Sequence, residues 1–252
     1  GVALGGCGSR GVEVEGRAKV FGYLFHLAAL VAGIYSFHVR DPWQISMALF
    51  YAASAVGVAF AGDMISLFLW WEGLAITSVF QIWGRKTKEA EESGFRYLFF
   101  HVSSGLLLLA GILFRYHGEG PSAFLLEPLT ESLEAGDLGS WLILLAIGIK
   151  AAFPGLHTWL KDGYSEATPT GPVWLCAFTT KCAVCMLVRL FPGADSLITT
   201  GGVMAMFPIF YAVIENDLRR VLCYSKINQI GFMVVGIGIG TELAIDGAIA
   251  HA

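Results

Sequence analysis

Apolar residues in this chain come in long runs, and most of its charge is confined to the short connections between them. The runs cover residues 20–39, 43–61, 64–83, 94–116, 138–160, 172–190, 197–214 and 221–240, and a ninth begins at Leu243. A helix needs about 20 apolar residues to cross the hydrocarbon core of a bilayer. Runs of this length, separated by signals as brief as Asp41-Pro42 or Gly62-Asp63, are too long for buried strands. The pattern predicts an all-α polytopic transmembrane helix bundle with eight spans. The fifth span is expected to break, because Pro154 lacks the N–H that would bond to the carbonyl of Lys150. Residues 1–19, rich in glycine and carrying Arg10, Glu13, Glu15, Arg17 and Lys19, read as a loop.

Composition agrees. Of 252 residues 56% are hydrophobic and 14% charged, against about a quarter charged in a soluble chain, and the mean hydropathy is +0.65. The sequence does not begin with Met and stops at Ala250-His251-Ala252, so we expect an internal piece of a longer protein. The net charge of −4 is diffuse, with no basic stripe, which argues against nucleic acid. Cys182 and Cys185 form a CxxC inside an apolar run, without a second pair at zinc-ribbon spacing, and read as small buried helix residues. Gly231, Gly236, Gly238 and Gly240 have no strand before them and are expected to serve close helix packing rather than a dinucleotide.

Placing the loops alternately on two sides puts Arg40, Arg85, Lys86, Lys88, Arg96, Lys161, Arg219 and Arg220 on one of them. The other carries Arg10, Arg17, Lys19, Arg115 and Arg189, with the acidic stretch from Glu119 to Asp137. The excess of Lys and Arg makes the first side cytoplasmic, in a multi-pass protein of the cell's inner membrane.

Three ionisable side chains interrupt the apolar runs. Glu72 is the only charge between Met64 and Gly84, Lys150 follows the uncharged stretch 141–149, and Lys181 lies within 172–190. Charges at membrane depth are costly and mark functional sites by default. Hydrocarbon favours the neutral form of each, and bringing acid and base together restores the charged forms, so such a group can relay protons. The alternative is a structural ion pair of Glu72 with Lys150 or Lys181. A broken helix at membrane depth is tolerated where protein or a water-filled cavity surrounds it, which strengthens Lys150. His157, about two turns after Lys150, and His101, within the fourth run, are further proton-carrying candidates. His26, His38, Thr179 and Thr180 read as structural, and the segment from Glu215 to Arg220 as a charged turn. There is no nucleophile beside a base, no metal-ligand cluster and no phosphate loop, so we expect no catalytic residue, metal or cofactor.

Phe68-Leu69-Trp70-Trp71-Glu72, Gly94-Phe95-Arg96-Tyr97-Leu98, Ile149-Lys150-Ala151-Ala152-Phe153-Pro154, Ala177-Phe178-Thr179-Thr180-Lys181 and Leu218-Arg219-Arg220-Val221-Leu222 occur in this order. Together they resemble the proton-translocating membrane subunits shared by respiratory complex I and Mrp-type cation/proton antiporters. The resemblance runs through nearly everything after residue 20, and the segments 208–217 and 236–244 are most similar to the D subunit of the Mrp antiporter. It implies a membrane domain over 20–252 built on inverted five-helix repeats, the first over 43–190 and the second opening at 197. It also implies that Glu72 pairs with Lys150, which passes its proton toward Lys181. The implied partners are the other hydrophobic subunits of an antiporter that exchanges protons for Na⁺. The alternative is a pump subunit of a complex I-like NADH:quinone or ferredoxin-driven oxidoreductase; in neither case is this chain catalytic alone. Lys161 and Gly163 depart from the family's usual proline and alanine, and are expected to loosen the turn after the broken helix.

Overall fold

The computed structural model describes residues 16–252. The expected loop 1–19 therefore lies outside the described residues as far as residue 15, and from Gly16 onward the chain is already helical. The first four helices are α1 (Gly16–Tyr35), α2 (Pro42–Ala59), α3 (Met64–Trp83) and α4 (Lys88–Glu119). Three of their starts are set by side chains that take up orphan N–H groups at the first turn. Asp41 accepts from Trp43 N, Asp63 from Ser66 N and Thr87 from Ala90 N. After a 3₁₀ turn (Gly120–Phe124) come α5 (Thr130–Glu134), α6 (Leu138–Lys150), α7 (Thr158–Glu166), α8 (Gly171–Ala177) and α9 (Thr179–Leu190). The chain closes with α10 (Asp195–Ile214), α11 (Leu218–Ile239) and α12 (Glu242–His251).

Among the described residues there is no strand, and six stretches are long and apolar enough to cross a membrane. One of the six is α8 and α9 taken together. The expected single broken span is two. The run 138–160 divides into α6 and α7, and the run 172–190 divides at Phe178 into α8 and α9. Gly163 lies inside α7, where an added Cβ would come 3.0 Å from the Tyr97 ring. It admits α4 closely and does not loosen a turn.

Every residue of α9 is buried except Lys181, so this short helix is enclosed by the rest of the bundle. The pair α10 and α11 meets backbone to backbone, as the glycine pattern suggested. A Cβ on Gly231 would lie 2.6 Å from Ala205 N. The loop charges gather at two ends. At one, Arg85 pairs with Glu166, Arg96 with Asp162 and Lys86 with Asp41, while Arg219 donates to the carbonyls of Ser165 and Ala167. At the other, Arg115 pairs with Glu119 and Asp137, and Arg189 donates to the carbonyls of Ala59 and Ala61. This grouping matches the alternation read from the loops.

Candidate functional site

The first helix break begins one residue past Lys150. Ala152 adopts φ +62°, in the left-handed region. Its N–H bonds back to Ile149 O, and Phe153 N bonds to Gly148 O at 2.9 Å. These two reversed bonds are a Schellman closure, usually made with glycine at the position Ala152 holds. Pro154 then follows, where a continued helix would need an N–H. Trp159 Nε1 returns from α7 to add a further donor to Ile149 O at 2.8 Å, tying α7 back to the end of α6 within the protein.

Lys150, the last residue of α6, is fully buried. Its Nζ donates to the carbonyl of Trp71 on α3 at 2.6 Å and lies 4.2 Å from the centroid of that tryptophan's ring. A backbone dipole and an aromatic face together can hold an ammonium group without a counter-ion. Glu72, the next residue on α3, is within the electrostatic field of Lys150 but does not form an ion pair with it. Glu72 Oε1 is buried with no hydrogen-bond partner. The expected direct pairing is thus replaced by contact with the neighbouring carbonyl, because α3 presents Trp71, not Glu72, to the end of α6.

Several residues of this site were not anticipated. The Glu72 carboxylate occupies the space left by Gly105 of α4, where an added Cβ would fall 1.4 Å from Oε1. Ser104 beside it accepts from Trp71 Nε1 at 2.9 Å and donates to Ala146 O at 2.7 Å, tying α3 to α6 one turn before Lys150. Neither residue has a sequence signal beyond being small in a helix.

His101 is fully buried, and neither ring nitrogen has a hydrogen-bond partner. Its ring lies 4.1 Å from that of Tyr97 and 4.5 Å from that of Trp159, and Lys150 acts on it electrostatically. From Tyr97 a line of hydroxyls runs toward the second break. Tyr97 Oη donates to Ser78 Oγ at 2.9 Å and lies 3.4 Å from Thr179 Oγ1, which is also hydrogen-bonded to Tyr51 Oη. Thr179 begins α9, two residues before Lys181. The structure thus places Lys150 within the field of both Glu72 and His101, and the line of hydroxyls from Tyr97 ends at Thr179, two residues before Lys181 in α9. His157 stands apart. It is half-buried at the start of α7, its ring 4.8 Å from that of Phe207 on α10, and Lys161 is the charge that acts on it.

Lys226 on α11 is a third lysine inside an apolar run, missed although the rule that found Lys150 and Lys181 applies to it. Among the described residues no cluster of three or more His, Cys, Asp or Glu is placed to hold a metal.

Ionisable groups enclosed by membrane-length helices, beside a helix interrupted in mid-bundle, define the class of membrane subunits that carry ions through their interior. Comparison gives the family. Residues 61–252 match the model of the NADH:quinone oxidoreductase/Mrp antiporter transmembrane family, and the chain belongs to it. NADH-quinone oxidoreductase subunit M of Escherichia coli (strain K12) is 27% identical over 234 residues, covering 84% of this chain and 45% of the relative. NADH-quinone oxidoreductase subunit N of Desulforudis audaxviator is 32% identical over 250 residues, covering 90% and 49%. The chain spans about half the length of these curated relatives. Among solved structures it is similar to the Mrp complex from Dietzia sp. DQ12-45-1b, with TM-score 0.83 and 26% identity over 95% of this chain and 28% of that one. It also shares the fold of a chain of respiratory complex I from Thermus thermophilus, with TM-score 0.81 and 21% identity over 97% and 55%.

Proposed function

We propose that this chain belongs to a membrane subunit of a multi-subunit monovalent cation (Na⁺)/proton antiporter of the inner membrane, and that it conducts protons through Glu72, Lys150 and Lys181. The observation that carries this reading is the full burial of Lys150 at a helix break, next to a glutamate with an unpartnered oxygen. An ammonium held only by a carbonyl and a ring gives up a proton without breaking an ion pair, and Glu72 is near enough to stabilise the charged form when the proton returns. In this reading the proton passes from Lys150 by way of His101 and the hydroxyls of Tyr97 and Thr179 toward Lys181, and the hydrogen bonds among Tyr97, Ser78, Thr179 and Tyr51 support it. We read His157, which stands apart from the other groups, as a proton entry on the side of α7 that carries Lys161. Other hydrophobic subunits complete the assembly. The similarity to the Mrp complex favours cation exchange.

A second reading, in which the same relay is driven by electron transfer in a complex I-like oxidoreductase, is favoured by the curated relatives being NADH-quinone oxidoreductase subunits. The relay is tested with Lys150→Ala and Glu72→Ala in the full-length protein within its complex. Proton flux into vesicles should fall by roughly 10²–10⁴-fold, with normal assembly on native gels. Wild-type flux from assembled Lys150→Ala complexes would overturn the relay. Flavin and iron–sulfur absorbance in the purified wild-type complex would select the redox-driven reading, and its absence the antiporter.

A further inference from the structure

At the break between α8 and α9, side chains of three other helices bind backbone groups that a continuous helix would use itself. Bonding from residue i to i−4 would join Thr179 N to Leu175 O and Thr180 N to Cys176 O. Instead Thr179 N donates to Tyr51 Oη of α2 at 2.9 Å, and Leu175 O accepts from Tyr164 Oη of α7 at 2.7 Å. Cys176 O accepts from Lys226 Nζ of α11, also at 2.7 Å. That ammonium lies 5.1 Å from the centroid of the Tyr164 ring, so a carbonyl and an aromatic face fix it together. Seven residues before Lys226, about two turns along the same face of α11, Arg219 donates to Ser165 O at 3.2 Å and to Ala167 O at 3.3 Å. With these two cations α11 grips the connection between α7 and α8 and the far end of α8.

We propose that Lys226 is a positioning residue for Lys181. Its ammonium is a fixed donor that occupies Cys176 O, keeps that carbonyl from the amide of Thr180, and so keeps α9 a separate helix with Lys181 in its first turn. Lys226 transfers no proton in this role. A buried carbonyl left without a donor is costly, so once Lys226 is removed the Thr180 N–H is the group to replace it. Drawing Thr180 and Cys176 together turns the first turn of α9 and displaces Lys181. Because the donor comes from α11, the place of Lys181 follows the place of α11. The proposal rests on the relay reading given above, which is what makes the place of Lys181 matter.

The test uses the full-length protein in its assembled complex, with proton flux measured in vesicles. Lys226→Met keeps an unbranched side chain of similar length and removes the donor. Flux should fall on the order of 10²-fold, as a displacement of about 1 Å can cost, with assembly unchanged. Lys226→Arg keeps a cationic donor that does not release a proton, and it should retain most of the wild-type flux. A lysine that only stabilises the complex predicts a lower thermal midpoint in Lys226→Met with full flux from the assembled complexes, and that result overturns the proposal. Equal losses of flux in Lys226→Met and Lys226→Arg also overturn it. If the arginine does not assemble, hydrogen exchange decides: Lys226→Met should change the exchange rate of residues 175–182 severalfold and leave α6 as in the wild type. Unchanged exchange over 175–182 overturns the proposal. Lys150→Ala measured in parallel separates the two readings. Loss in Lys150→Ala with full flux in Lys226→Met removes only this inference, whereas full flux in Lys150→Ala removes the relay itself.

Discussion

The bundle contains two interrupted helices, and they are interrupted in different ways. Between α6 and α7 the break is made by the chain's own local geometry: the Schellman bonds to Gly148 and Ile149, the left-handed Ala152, and Pro154 two residues on. Between α8 and α9 there is no proline or glycine at the break. There Thr179 N donates to Tyr51 Oη of α2 at 2.9 Å, in place of a carbonyl of its own helix. The first break ends on Lys150, which has Glu72 in its field. The second precedes Lys181, which has another lysine in its field. A locally determined break keeps its lysine in place whatever surrounds it, whereas a break made by another helix holds its lysine only while that helix stays docked.

The sharpest way to test the acid side of this contrast is Gly105→Ala. The new methyl would occupy the position of Glu72 Oε1, so the carboxylate must move out of its place against α4. Displacing a reacting group by about 1 Å can cost on the order of 10²-fold in rate, and we expect a loss of that size in proton flux. Restoration of flux by a second change, Glu72→Asp, would identify the cause as steric, because the shorter side chain fits beside a methyl. Full flux in Gly105→Ala would show that the position of Glu72 is unimportant.

The second break is addressed by Tyr51→Phe, which removes one hydroxyl and leaves the ring against Phe178. Thr179 N–H and Thr179 Oγ1 both lose a partner in a fully buried setting. An unsatisfied buried group costs about 1–3 kcal/mol, so the assembled complex should unfold at lower temperature. Flux should fall more than in a control such as Tyr164→Phe, whose hydroxyl serves Leu175 outside the line from Tyr97 to Thr179. Equal effects of the two variants on flux would remove the hydroxyl line from the path.

This difference also explains what was legible in the sequence. Spans were readable because about 20 apolar residues have one use in a membrane, and the run 64–83 coincides with α3. The first break was readable because Pro154 acts on its own helix. The second was not, because its cause is a tyrosine more than 120 residues away in sequence (128 for the bond from Thr179 to Tyr51). Glu72, Lys150 and Lys181 stood out as lone charges, and Lys226 carried the same signal within 221–240. Gly105 and Ser104 carried none, since a small residue in a membrane helix is ordinary and its value here comes from facing Glu72 and Trp71. The direct Glu72–Lys150 pair, which the resemblance implied, is replaced for a similar reason: the rotation of α3 decides which of its atoms the ammonium meets, and that atom is Trp71 O.

The smallest expected effect concerns how the local break is fixed, and it is measured as the thermal midpoint of the assembled complex. Ala152 holds a left-handed conformation that costs an alanine roughly 1–2 kcal/mol, a cost glycine does not bear. Replacing it with glycine relieves that strain. The gain is offset by roughly 0.5–1 kcal/mol of extra backbone entropy in the unfolded chain and by about 0.8 kcal/mol for the buried methyl group. Ala152 is fully buried, so the last figure applies in full. The three contributions nearly cancel, and Ala152→Gly should stay within about 1 kcal/mol of the wild type. Ala152→Val should not, because a β-branched side chain is a genuine outlier at φ +62°. If the valine variant is as stable as the glycine variant, the left-handed turn is not retained. The break would then depend on Pro154 and on the neighbours of α6, as the second break depends on Tyr51.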